Sequence, residues 1–142
     1  MIKVESSVTI KAPVDTVFAF IDDPDNSPKW QSGVDSLEHD GSMQIGSQYT
    51  EVRKFMGREM RTTLEITHYE ANKLWGAKTL SGPVPYQVMV TFEAVEGGTK
   101  MTTTVEAEPG GFFKLAEGAV RKQLESGLKE DNQTLKNMLE AQ

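Results

Sequence analysis

Cysteine is absent from the 142 residues, which removes disulfides, thiolate metal sites and a thiol nucleophile from the available chemistry and leaves the redox compartment unmarked. Histidine is nearly absent too, with His39 and His68 alone and on segments that read as different strands. A zinc site needs further ligands, and neither histidine has a partner at metal-motif spacing, so no metal and no cofactor are expected. No serine sits in a nucleophile-elbow pattern, and the glycine pairs at 97–98 and 110–111 are turn chemistry without a phosphate-loop lysine after them. No apolar run approaches the roughly 20 residues that span a bilayer, so stable membrane insertion is not expected. The first residues, MIKVESSVTIK, alternate apolar and polar where a secretory segment would run apolar throughout, and the cytoplasm is the default location. Positive charge is in deficit: 15 Lys and Arg against 21 Asp and Glu give −6, which disfavours nucleic acid as a partner. Acidity here reads as solubility.

What is present fits one domain over residues 1–142, expected as a monomer or weak homodimer, large enough to bury roughly two thirds of the unfolded chain's surface without staples. Ile2, Val4, Val8 and Ile10 alternate with polar residues as in a strand with one buried face, Ser6 falling on the apolar side. At Pro13 the period changes, and Val14, Val17, Phe18 and Ile21 recur at helical spacing until Asp22, Asp23 and Pro24 stop them. Ser27 and Pro28 can cap and start one further turn ending near Trp30. Strand-like runs follow at 34–39, 48–55, 59–68, 74–80, 84–95 and 99–108, broken at Gly57, Asn72, Gly82 with Pro83, and Gly97 with Gly98. They are close enough for hairpins, hence antiparallel, and Pro109, Gly110 and Gly111 end the sheet. From Phe112 to about Leu139, one broad apolar face carries Phe113, Ala116, Val120, Leu124, Leu128, Leu135 and Met138.

Such a helix is roughly 40 Å long, and six or seven strands make a sheet roughly 30 Å wide, so one helix crosses the whole sheet. A twisted sheet is concave and a helix is nearly straight, so the two cannot touch everywhere, and a pocket is expected in the gap. The fold class is α+β: a curved antiparallel sheet of six to seven strands around a long C-terminal helix, with two short helices after the first strand. This order resembles the helix-grip domains of the START-related (SRPBCC) superfamily, most closely its polyketide cyclase/dehydrase and lipid-transport-like branch. The familiar residues are VTIKAPVDTVFAFIDDPDNSPKW at 8–30, YTEVRKFMGREM at 49–60, TFEAVEGGTKM at 91–101 and TLKNMLE at 134–140. The resemblance implies a cavity for hydrophobic small molecules, in a group whose members transport lipids, cyclise polyketides, bind quinones or activate chaperone ATPases. No short catalytic signature defines that group, and no catalytic residue is carried over.

Strand parity nominates the pocket wall. Leu64 and Ile66 mark the buried face of their strand, which Met60 and Thr62 share, while Arg61, Thr63 and Glu65 face out. If Met56 and Gly57 form a two-residue turn, Arg53 lies opposite Met60, Glu51 opposite Thr62 and Tyr49 opposite Leu64, with Lys54 facing Glu59 on the wet side. Glu51 and Arg53 then point inward as a charge pair that orients a ligand's polar group. A three-residue loop would reverse these assignments and put both in solvent, where charged residues are usually found. Pairing Val95 with Gly98 places Tyr86, Val88, Val90 and Phe92 on one face with Met101, Thr103 and Val105. Tyr86 offers a hydroxyl to a ligand, or is a core aromatic with a wet tip. Trp75 joins the inner face only if the preceding turn is Ala71 and Asn72. Trp30 reads as a structural plug, or a wall at the pocket mouth. Gly118 and Gly127, inside the helix, leave room for a ligand or allow close packing. From the helix, Val120 and Leu124 complete the wall.

The leading function is binding of a small hydrophobic molecule. The alternatives are a cyclase or dehydratase using Glu51, Arg53 and Tyr86, and a protein-binding module, which would need an apolar outer face where Arg61, Glu65, Thr102, Thr104 and Glu106 indicate a polar one.

Overall fold

The computed structural model describes residues 2–39, 41, 44–108 and 116–141. Among these residues seven strands form one antiparallel sheet: β1 (Ile2–Ile10), β2 (Val34–His39), β3 (Gln48–Phe55), β4 (Arg58–Glu70), β5 (Leu74–Ser81), β6 (Tyr86–Val95) and β7 (Gly98–Ala107). Their order is β1-β7-β6-β5-β4-β3-β2, so the hairpins from β2 onward lay neighbours side by side and the passage from β1 to β2 runs from one edge to the other. That passage carries α1 (Val14–Asp22), a 3-10 turn (Pro24–Asn26) and α2 (Ser27–Trp30). The long helix, α3, is Glu117–Glu140. This is the curved sheet and gripped helix that the strand and helix patterns require.

Two hairpins take the expected register. Met56 and Gly57 have φ of 52° and 78°, the left-handed pair whose twist suits a two-residue hairpin turn. Phe55 therefore pairs with Arg58, Lys54 with Glu59, Arg53 with Met60, Glu51 with Thr62 and Tyr49 with Leu64. Val95 pairs with Gly98 and Val90 with Thr103.

Trp75 reaches the inner face by a route other than the expected turn. The β4–β5 loop spans three residues, since Glu70 pairs with Leu74 across Ala71, Asn72 and Lys73. One extra residue reverses the parity, but the register also slips between Ile66 and His68, and this bulge at Thr67 reverses it again. Tyr69, and Trp75 opposite it, are turned inward by the two cancelling shifts. Other boundaries move for local reasons. β6 begins at Tyr86, not at 84, because Pro85 has no N–H for the ladder. Ser27 is the first residue of α2 and not its cap; the capping side chain is Asp23, which accepts from the Asp25 N–H at 3.0 Å and opens the 3-10 turn. Pro109, Gly110, Gly111, Phe112 and Phe113 lie outside the described residues, and Ala116 stands at the N-cap of α3.

The sheet and α3 close on each other most tightly at the C-terminal half of the helix. There Leu135 and Leu139 join Ile10, Val17, Phe18, Phe92 and Met101 in one buried cluster, with Phe18 edge-on to Phe92 at 5.1 Å and to Tyr69 at 5.6 Å. Each such side chain removed from water contributes roughly 1.5–3 kcal/mol. Toward the other end, Val120 packs with Ile2, Val4, Met60 and Val105, while Leu124 and Leu128 are only partly covered.

Candidate functional site

Between the two packed ends, sheet and helix part to leave a cavity of about 400 Å³. Eleven of the twelve nominated residues line it: Tyr49, Glu51, Arg53, Leu64, Trp75, Tyr86, Val88, Val90, Thr103, Val120 and Leu124. Thr62 does not. It lies on the expected face and is buried, but the β5–β6 connection folds over it, so that a Cβ added at Gly82 would stand 2.9 Å from Thr62 Oγ1. Trp30 both packs against the buried cluster and borders the cavity, joining the two roles weighed for it. Among the described residues the close-packing role proposed for the helix glycines is absent: a Cβ at Gly118 or Gly127 would meet nothing within 4 Å, and Gly127 borders the cavity.

The polar groups converge on Arg53. Its Nε donates to Glu51 Oε1 at 2.8 Å, while its Nη2 donates to Glu51 Oε2 at 3.3 Å and to Gln31 Oε1 at 2.9 Å. Tyr86 donates its hydroxyl to Glu51 Oε1 at 3.4 Å, a long and weak bond. The pair is inside: the Glu51 side chain is 8% exposed and that of Arg53 25%. Burial is the largest influence on Arg53 and pulls its pKa down, yet the charge of Glu51, with Tyr86 and Asp131 behind it, outweighs burial and holds the guanidinium above its ordinary value. Burial, reinforced by Glu51, pushes the Tyr86 phenol up, and Tyr49 rises well above the ordinary tyrosine value for the same first reason. Both hydroxyls remain protonated donors at neutral pH.

Four polar participants, Asp131, Ser32, Asn132 and Gln31, escaped the sequence reading. Asp131, buried on α3, accepts from the Ser32 N–H and the Ser32 hydroxyl, both at 2.9 Å on Oδ1. Burial raises its pKa against the lowering pull of Ser32 and Arg53. Asn132, also buried, donates to Ser6 Oγ at 3.1 Å, which satisfies the polar residue on the apolar side of β1. Gln31 binds Arg53 as described. The signal for Asp131 and Asn132 was available, since they fall three and four residues after Leu128 on the same helix face. Gln31 and Ser32 follow a one-turn helix and carry no periodicity. At the far wall Asp22, last residue of α1, accepts from the Tyr69 hydroxyl at 2.8 Å; burial first, then this bond, pushes Tyr69 up to about 12.

His39 joins Asp25 at 3.3 Å on the surface, and His68 bonds Thr67. Among the described residues no three His, Cys, Asp or Glu side chains gather as a metal site. Nor is any described helix long and apolar enough to cross a membrane.

The gripped helix, the apolar cavity and its one dense polar cluster define a START-like ligand-binding domain. The chain belongs to the polyketide cyclase / dehydrase and lipid transport family, which matches residues 1–140. Solved structures agree on the fold. A START superfamily protein from Mycobacterium smegmatis superposes with a TM-score of 0.79 at 13% identity, covering 98% of this chain and 97% of that one. TTHA0849 from Thermus thermophilus gives 0.76 at 20%, covering 94% and 96%, and CV1439 from Chromobacterium violaceum 0.77 at 12%, covering 97% and 96%. A search of curated proteins finds no sequence match.

Proposed function

We propose that the protein binds one small hydrophobic molecule, lipid-, polyketide- or quinone-like, in the cavity between the sheet and α3. The observation that carries this reading is the cavity itself, walled by Leu64, Val88, Val90, Val120 and Leu124 and holding a polar cluster already fixed by its own hydrogen bonds. An apolar pocket with a few convergent polar groups is the usual form of a small-molecule site. The apolar wall supplies affinity, and Arg53, Tyr86 and Asp131 orient the ligand's polar end. In this reading the protein acts as a cytoplasmic monomer or weak homodimer, away from nucleic acid.

A fluorescent apolar dye is expected to bind with one site per chain, and organic extraction of the purified protein to release a small molecule detectable by mass spectrometry. Leu124→Trp, which fills the cavity from the helix side, should abolish dye binding while the protein stays folded. Undiminished dye binding in that variant would overturn the cavity reading.

One observation favours a second reading, a cyclase or dehydratase: Tyr86 and Arg53 both bond to Glu51, so a phenol and a permanent cation stand side by side on the cavity wall, groups of the kind that stabilise an enolate oxygen. The protein-binding alternative finds less support, since among the described residues the exposed large apolar side chains are Ile45 and Leu80.

A further inference from the structure

An arginine on a pocket wall suggests an anionic ligand, but the charges around Arg53 argue against one. Asp22, Glu51 and Asp131 border the cavity along with it. Lys54 borders it as well, but by strand alternation its side chain leaves the outer face of β3, opposite Glu59. The inner wall thus carries three carboxyl groups and one guanidinium, whose charge is already paired with Glu51 through two bonds, a third going to Gln31.

Resting on the ligand-binding reading, we infer that the ligand's polar end is uncharged, an alcohol, phenol or ketone, and that the cavity rejects carboxylates. A carboxylate would meet carboxyl groups in excess of the single cation, and if Asp131 holds its proton there is still no unpaired positive charge to receive it. An ammonium would lie beside the fixed charge of Arg53 and bring three donors to be satisfied, whereas among the described residues Glu51 accepts from Arg53 and Tyr86, Asp22 from Tyr69 and Asp131 Oδ1 from Ser32, which leaves Asp131 Oδ2 as one acceptor in place of the water it gives up. The remaining Asp22 oxygen, Oδ1, has no partner among the described residues but is sealed from any water-sized group. A neutral head avoids the cost of burying an uncompensated charge. Among the described residues Arg53 Nη1 has no acceptor, so it is free to donate to a carbonyl or hydroxyl, and Asp131, whose bonds to Ser32 both use Oδ1, has Oδ2 left to accept from a hydroxyl.

The test is calorimetric titration at pH 7 with decanol, decanoate and decylamine, the last two charged at that pH by their ordinary pKa values. Decanol should bind tightest, with each charged analogue at least roughly tenfold weaker. Glu51→Gln keeps the shape and frees the guanidinium, so decanoate should gain roughly tenfold and more than decanol does. Asp131→Asn, which can keep both Ser32 bonds, should shift preference the same way and serves if the first variant does not fold. Decanoate or decylamine binding as tightly as decanol, or no gain for decanoate in the folded variants, overturns the inference while leaving ligand binding intact. Binding of none of the three would overturn the ligand-binding reading and this inference with it.

Discussion

The two halves of α3 meet the same sheet on different terms. Its C-terminal half is shut against β1, β6, β7 and α1 through Leu135 and Leu139, which are 0% and 3% exposed. Its N-terminal half presents Leu124, Gly127 and Leu128 to a cavity, and only Val120 there is fully buried. Asp131 and Asn132 stand at the junction, each tied to a polar partner across the gap. The closed end anchors the helix, and the open end can leave apolar wall uncovered because stability is supplied elsewhere. This division lets a chain of 142 residues keep a cavity between sheet and helix.

The sharpest way to break that comparison is to truncate one leucine from each half. Leu135→Ala should cost about 2–5 kcal/mol, since close-packed neighbours cannot collapse into the space left, whereas Leu124→Ala should cost less than half as much because it already borders space. Urea unfolding of both variants measures this, and equal losses would erase the distinction between the halves.

A smaller difference is expected between two arginines on opposite faces of the sheet. Arg53→Ala strips Glu51 of its partner and should cost roughly 2–4 kcal/mol, less than a wholly buried pair because part of Arg53 stays accessible. Arg61, exposed and 4.0 Å from an exposed Glu38, should cost within about 0.5 kcal/mol on replacement by alanine. Comparable melting temperatures for the two variants would show that the inward pair adds nothing.

The smallest effect concerns the junction. Burial raises the pKa of Asp131 in the folded protein above 3.8, so the folded state holds this proton more tightly than the unfolded state does. Its contribution to stability is therefore present at low pH and is lost as pH rises from the unfolded value through the folded one. Asp131→Asn should remove that decline. Unfolding free energies of the two proteins, compared from about pH 4 to pH 7, should diverge in favour of the variant as pH rises, and parallel curves would refute it.

The sequence by itself determined the order of elements, the gripped-helix architecture and most of the cavity wall. The reason is local: strand parity depends on nearest neighbours and on one turn, and once Met56 and Gly57 form a two-residue turn Glu51 and Arg53 must face inward, although Met56 does not itself signal that turn and the sequence left a three-residue loop open. Where parity depends on irregularities it was illegible. Trp75 arrives inside through a three-residue loop and a bulge that cancel, and neither leaves a compositional mark. Thr62 had the right face and the wrong neighbour, because the loop through Gly82 covers it and coverage by a loop is a tertiary event. Beyond Glu51, the partner of Arg53 was settled only by the fold, as was that of Asp131, since Gln31 and Ser32 come from a short aperiodic connection brought between sheet and helix by the edge-to-edge passage. Periodicity tells which side of an element a residue occupies; which residues of distant elements then share one space depends on the closure of the sheet around the helix.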